Sequence, residues 1–290
     1  MKNITQEYFK EERALYKEEN VHVSDTVFDF GESPVKECRN MEFERCFFRG
    51  RYPVWYSENV TLTDCTMFDA ARAGLWYVKN LTVRGGTVAA PKCLRRCEDV
   101  TLTDVAIPVA QESLWHCKNV KLDRVSSVGE YFLMNSENVR ISHWKHKGNY
   151  VLDGVKNIEI TDSELVTKDA FWNCENVYVK DSIIFSEYLG WNSKNITLEN
   201  CTVNSLQGLC YIEGLKLINC RLMNTDLAFE KSTVDATVIG NIVSVYNPEA
   251  GTIKADSIGE VVMDPAVVNP ENTSIEADVG RYSKEPTWTI

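Results

Sequence analysis

One five-residue phrase returns at a nearly fixed interval: a charged residue, Asn, an aliphatic, any residue, and a second aliphatic. Eleven copies run from Glu19-Asn20-Val21 through Glu58-Asn59-Val60 and Lys118-Asn119-Val120 to Glu213-Gly214-Leu215. Successive Asn positions are spaced 20, 19, 21, 19 and 20 residues, then 19 five times. A period of that length means that one small structural unit stacks on the next, as in a solenoid.

Counting the Asn as zero, positions +1 and +3 are apolar in every copy, for example Val60 and Leu62. That alternation describes a strand with one buried face. Positions +8 and −5 are mostly apolar as well, so each repeat holds three short apolar segments between polar bends. None is long or periodic enough for a helix. The pattern predicts an all-β chain, a single right-handed parallel β-helix of eleven to thirteen coils with about 19 residues per coil, the hand being the default for parallel crossovers. A leucine-rich repeat is the rival, but 19 residues is short for one and the rest of each repeat contains no helical turn. Residues 1–290 read as one domain. Residues 1–19 form a cap or first coil, with a short helix or irregular coil over 5–17. Residues 20–231 form regular coils, and 232–290 form degenerate coils and a C-terminal cap that folds back from Pro265.

The columns account for residues that would otherwise suggest chemistry. Of ten cysteines, Cys46, Cys65, Cys201 and Cys220 stand at +6, and Cys38, Cys97, Cys117 and Cys174 at −2. Small thiols stacked in a narrow core need no disulfide, which agrees with a reducing compartment. Asn at zero tolerates the left-handed conformation of a sharp bend, and its amide can bond to the amide one coil away. The Asp residues at +5, such as Asp64 and Asp104, read as bend residues rather than acids. A balance of 31 Lys+Arg against 42 Asp+Glu, net −11, argues against nucleic acid as a partner. No apolar run reaches membrane-spanning length, and Met1–Lys10 lacks a signal-peptide core, so a cytoplasmic protein is expected.

Several segments carry a resemblance: Gly31-Glu-Ser-Pro-Val-Lys-Glu37, Tyr52-Pro-Val-Trp-Tyr56, Lys168-Asp-Ala-Phe-Trp-Asn-Cys174, Gly190-Trp-Asn-Ser193 and Asp226-Leu-Ala-Phe-Glu230. Together they resemble an uncharacterised bacterial family of right-handed parallel β-helix proteins in the pectin-lyase-like group. The likeness runs over nearly the whole chain and implies the fold without an activity. Many members of that group bind or cleave polysaccharides along one face of the helix. The chain lacks the Asn-Thr-Asp, Asp-Asp and Gly-His-Gly segments of polygalacturonase-like members and the Arg-x-Pro-x-x-Arg segment of pectate-lyase-like ones.

One column exceeds what a core requires. Position −4 holds Trp55, Trp76, Trp115, Trp172 and Trp191, with Arg95 in the same register. Simple alternation turns these side chains outward, where they would bind sugar rings; a bend near −3 would instead turn them inward or lay them flat over neighbouring coils. His116, Glu112 and Asp153 are the candidate acid–base groups beside that column. His143 and His146 do not converge as metal ligands, and His146 falls in the apolar +8 column as a core residue; neither metal nor cofactor is expected. Two functions follow: a carbohydrate-binding protein, as hydrolase or lyase if an enzyme, or a non-catalytic scaffold whose aromatic face meets a protein partner or a second copy in a homo-oligomer.

Overall fold

The computed structural model describes residues 1–285, which are all β apart from one three-residue 3-10 turn at Pro270–Asn272. They form a parallel β-solenoid of about 15 turns with ~19 residues each, more than the eleven to thirteen expected. The extra turns lie where the Asn phrase is missing. Lys2–Thr5 and Tyr8–Phe9, in place of a helical cap, pair in parallel with the strands that follow. Near the other end, Thr273–Ser283 pairs in parallel with Ala250–Val262 rather than folding back; the last five residues of the expected cap lie outside the described residues. Contacts divide the chain into two compact units, Met1–Gly148 and Asn149–Ile290.

In the first unit a typical coil starts with a six-residue strand such as Glu58–Thr63, followed by the short strand Thr66–Met67. Val60 and Leu62 point into the core, as does Met67. The register is strict: Val21 faces Met41, Met41 faces Val60, and the row continues through Leu81, Val100 and Val120 to Val139. In the second unit the same row runs Ile158, Val177, Ile196, Leu215, Val234.

Left-handed residues set the corners. The Asn column holds φ between 52° and 60°, with Asp99 in one coil, and the bend at +5 is left-handed too, from Asp25 to Asn219. Within the first unit Asn40 Nδ2 donates to Asn20 Oδ1 at 2.9 Å, Asn59 to Asn40 at 2.8 Å, and Asn80 to Asn59 at 2.8 Å. In the second, Asn176 donates to Asn157 and Asn195 to Asn176. The bend preference of Asn and its ladder are thus one device.

Bulky residues at −5 are left-handed as well: Leu75, Leu94, Leu114 and Leu133 in the first unit, Leu152 and Phe171 in the second. Such backbone costs about 1 kcal/mol or more per residue. The −2 column helps to hold it. Cys97 Sγ donates to Leu75 O at 2.8 Å, Cys117 Sγ to Leu94 O at 3.2 Å, and Ser136 Oγ to Leu114 O at 2.7 Å; Cys174 does the same for Leu152 at 2.8 Å. Cys and Ser both serve in this column because each is a small donor for a buried carbonyl. All ten thiols are free and buried, and burial pushes Cys38 up to about 11 and Cys93, Cys174 and Cys210 up to about 12. At neutral pH these four thiols are protonated, not nucleophiles.

Candidate functional site

In the first unit the −4 column lies half-buried along the coil surface. At Trp76, Arg95 and Trp115 left-handed residues at both −5 and −3 break the alternation that would turn it outward, and at Trp55 the left-handed residue is at −3 alone. Trp55 Nε1 donates to Ala73 O and Trp76 Nε1 to Lys92 O, both at 2.6 Å, and Trp115 Nε1 donates to Tyr131 O. Arg95 repeats the pattern, with its Nε 3.4 Å from Glu112 O. All four acceptors occupy position −7 of the next coil, where the backbone is left-handed and turns its carbonyl toward the column.

The faces of these side chains meet one another. The Trp55 and Trp76 rings are 5.3 Å apart and within 6° of parallel. Arg95 places its guanidinium carbon 5.1 Å from the Trp76 centroid and 4.3 Å from that of Trp115. Trp76 therefore has a neighbour over each face, an arrangement favoured by stacking and cation–π attraction. Beside it, Tyr56 and Tyr77 stack at 4.6 Å and 2°, with Tyr56 half exposed.

Glu112 sits next to this stack and is engaged there: Arg95 Nη2 is 2.5 Å and Lys92 Nζ 3.4 Å from its Oε2. His116 is an exposed, left-handed bend residue at −3. The first unit thus brings Trp55, Trp76, Arg95, Glu112 and Trp115 together, but as an interlocked surface in which the carboxylate balances a guanidinium.

The second unit treats the same column differently. Trp172 and Trp191 are 6.3 Å apart and tilted by 38°, while Trp191 is 40% exposed and packs on Tyr211 at 4.3 Å. Trp172 Nε1 is buried without a hydrogen-bond partner. The equivalent −7 residue of the next coil, Tyr188, lies in the continuous strand Ile183–Leu189, and its carbonyl accepts from Ser186 Oγ at 2.8 Å. Asp153 accepts from Asn173 Nδ2 at 2.8 Å, and Asn173 in turn accepts from Asn192.

A carboxylate absent from the candidates above is the most deeply buried among the described residues of this unit. Asp169 is 3% exposed, with Oδ2 lacking a partner, and burial raises its carboxyl above the ordinary range, with Lys168 opposing and Glu187 adding. Glu164–Ala170 runs as one strand, so alternation from Leu165 turns Asp169 inward; the repeat alone, in which −7 is a left-handed bend from Ala73 to Tyr131, does not show this.

His143 and His146 diverge. His143 Nδ1 is 3.0 Å from Asp123 Oδ1 at the surface, whereas His146 is 3% exposed, with Nδ1 2.9 Å from Ser127 Oγ. Trp144 Nε1 donates to the same hydroxyl at 2.8 Å, and burial pushes His146 down to about 4. Among the described residues no group of three His, Cys, Asp or Glu converges as a metal site.

No curated protein matches this chain. Its fold is similar to that of PfbA, a surface adhesin of Streptococcus pneumoniae, whose crystal structure aligns with 96% of this chain and 90% of that one at 9% identity and a TM-score of 0.41. That degree of likeness carries no functional weight. The profile of a family described as "Protein of unknown function (DUF3737)" matches residues 2–276, and the chain belongs to that family.

Proposed function

We propose that this protein is a non-catalytic interaction scaffold, and that Trp55, Tyr56, Trp76 and Tyr77, with Tyr52 edge-on to Trp55 at 4.8 Å, form a ledge that meets a protein surface. The covered faces of Trp76 and the stacked pair Tyr56–Tyr77 carry this reading. A sugar ring packs its C–H bonds on an open aromatic face, whereas this ledge offers edges and phenol hydroxyls. Edges and hydroxyls of Tyr and Trp suit protein interfaces, where these residues are enriched. A wider kinship with the pectin-lyase-like group, implied by the segments quoted above, belongs to the same proposal and adds only the architecture. A second reading, carbohydrate binding, has one observation in its favour: the 40% exposure of Trp191 beside Tyr211.

The partner to test first is a second copy of the chain. Sedimentation equilibrium should show association in the wild type that is lost in a Tyr56→Ser/Tyr77→Ser double variant. Oligosaccharide panels incubated with the wild type should show no cleavage. Cleavage that disappears in Glu112→Gln or Asp153→Asn would overturn the proposal, as would association indifferent to the double variant.

A further inference from the structure

Away from the ledge, the first unit carries a concavity of about 330 Å³ lined by Phe30, Glu32, Arg49, Gly50, Arg51, Ala70 and Arg72. Three guanidiniums against one carboxylate give this lining a surplus of two positive charges in a chain of net −11. Only Arg51 has an acidic partner, Glu32; Arg49 and Arg72 form no ion pair among the described residues. Arg49 is steered by ring contact instead, its guanidinium carbon 5.4 Å from the Phe68 centroid. Nearby, Tyr8 donates its hydroxyl to Oδ2 of the buried Asp29, whose Oδ1 has no hydrogen-bond partner.

Backbone keeps the hollow narrow. A Cβ on Gly50 would lie 2.3 Å from Gly31 O and 2.6 Å from Asp29 O, so only glycine lets these coils approach as they do. On the rim, Phe30 is 75% exposed, the largest exposure among the described large apolar side chains. Like charges gathered around a hollow repel one another unless an anion joins them, and an uncovered phenyl ring beside them offers apolar contact.

We propose that this concavity binds a small organic oxyanion, a phosphate or a carboxylate, with Arg49 and Arg72 on the anionic group and Phe30 against its apolar body. Guanidinium geometry suits either oxyanion through paired N–H donors. The site shares no residue with the aromatic ledge, so the two proposals can fail separately.

Calorimetric titration of the full chain at low ionic strength with inorganic phosphate, phenyl phosphate and benzoate tests it. Phenyl phosphate or benzoate should bind, and Arg49→Gln and Arg72→Gln should each weaken binding by about tenfold or more. Phe30→Ala should weaken the aryl ligands and leave inorganic phosphate unchanged. Preference for phenyl phosphate over benzoate assigns a phosphate ligand, and the reverse assigns a carboxylate. Arg45→Gln is the control, because Arg45 is exposed but already paired with Asp25. The absence of binding, or losses in Arg45→Gln equal to those in Arg49→Gln, would overturn the assignment.

Discussion

The two units handle one sequence column in opposite ways. In the first, each Trp or Arg at −4 reaches a left-handed carbonyl at −7 of the next coil, so the column is bonded and stacked. In the second, Trp172 has the same place in the repeat, yet its N–H finds no acceptor, because Tyr188 lies in a continuous strand and its carbonyl is taken by Ser186. The backbone one coil away therefore decides whether an indole in this column completes a hydrogen bond. Periodicity places the ring; a neighbouring bend gives it a partner.

Truncation should break the comparison most strongly. Trp76→Ala removes stacking on both faces and a hydrogen bond, and should cost about 4 kcal/mol; Trp172→Ala, with no hydrogen bond to lose, should cost about 3 kcal/mol. Chemical denaturation gives the totals, and hydrogen exchange assigns each loss to its unit.

Acid should separate the units next. Buried His146 is held at about 4, well below a free imidazole, so its contribution is complete above pH 6.5 and is lost as pH falls toward 4. At about 1.4 kcal/mol for each tenfold change in proton affinity, the loss approaches ~3 kcal/mol. Asp169 has the opposite sign: its raised carboxyl favours the fold below the unfolded-state value and costs stability as pH rises through the folded one. Between pH 7 and 4 exchange protection should fall around His146 and rise around Asp169, with His146→Leu and Asp169→Asn flattening the respective responses.

A smaller effect should be shared. Asn59→Ala and Asn176→Ala each remove a left-handed Asn that both donates and accepts in its ladder, and each should cost about 2 kcal/mol. Unequal costs would show that the ladders differ despite equal geometry. The smallest test is the sharpest in sign. Trp76→Phe loses a bonded N–H at about 1 kcal/mol, whereas Trp172→Phe removes an unpartnered one and should leave stability unchanged or raised.

Much of the fold was legible because register repeats chemistry. The Asn column announced the corners, the +1 and +3 aliphatics the inward face, and the thiols at −2 and +6 a narrow core. Coils at both ends were undercounted because Lys2–Thr5 and Thr273–Ser283 pair without the Asn phrase. The expectation that alternation turns position −4 outward also failed in part. Alternation holds only along extended backbone, and Leu75 and Tyr77 on either side of Trp76 are both left-handed. No local signal marks a bulky Leu as left-handed; its support, a Cys or Ser hydrogen bond, comes from the next coil. The same long-range dependence hid Asp169 and the missing partner of Trp172.

Indole N–H resonances test the central claim most directly, because each tryptophan reports its own hydrogen bond. In a ¹H–¹⁵N spectrum the Trp55, Trp76 and Trp115 signals should be shifted downfield and exchange slowly with deuterium, while Trp172 should lack the downfield shift. Rapid exchange and an unshifted signal for Trp76 would mean that the first-unit column is free, and would contradict both the bonded ladder and the scaffold reading built on it.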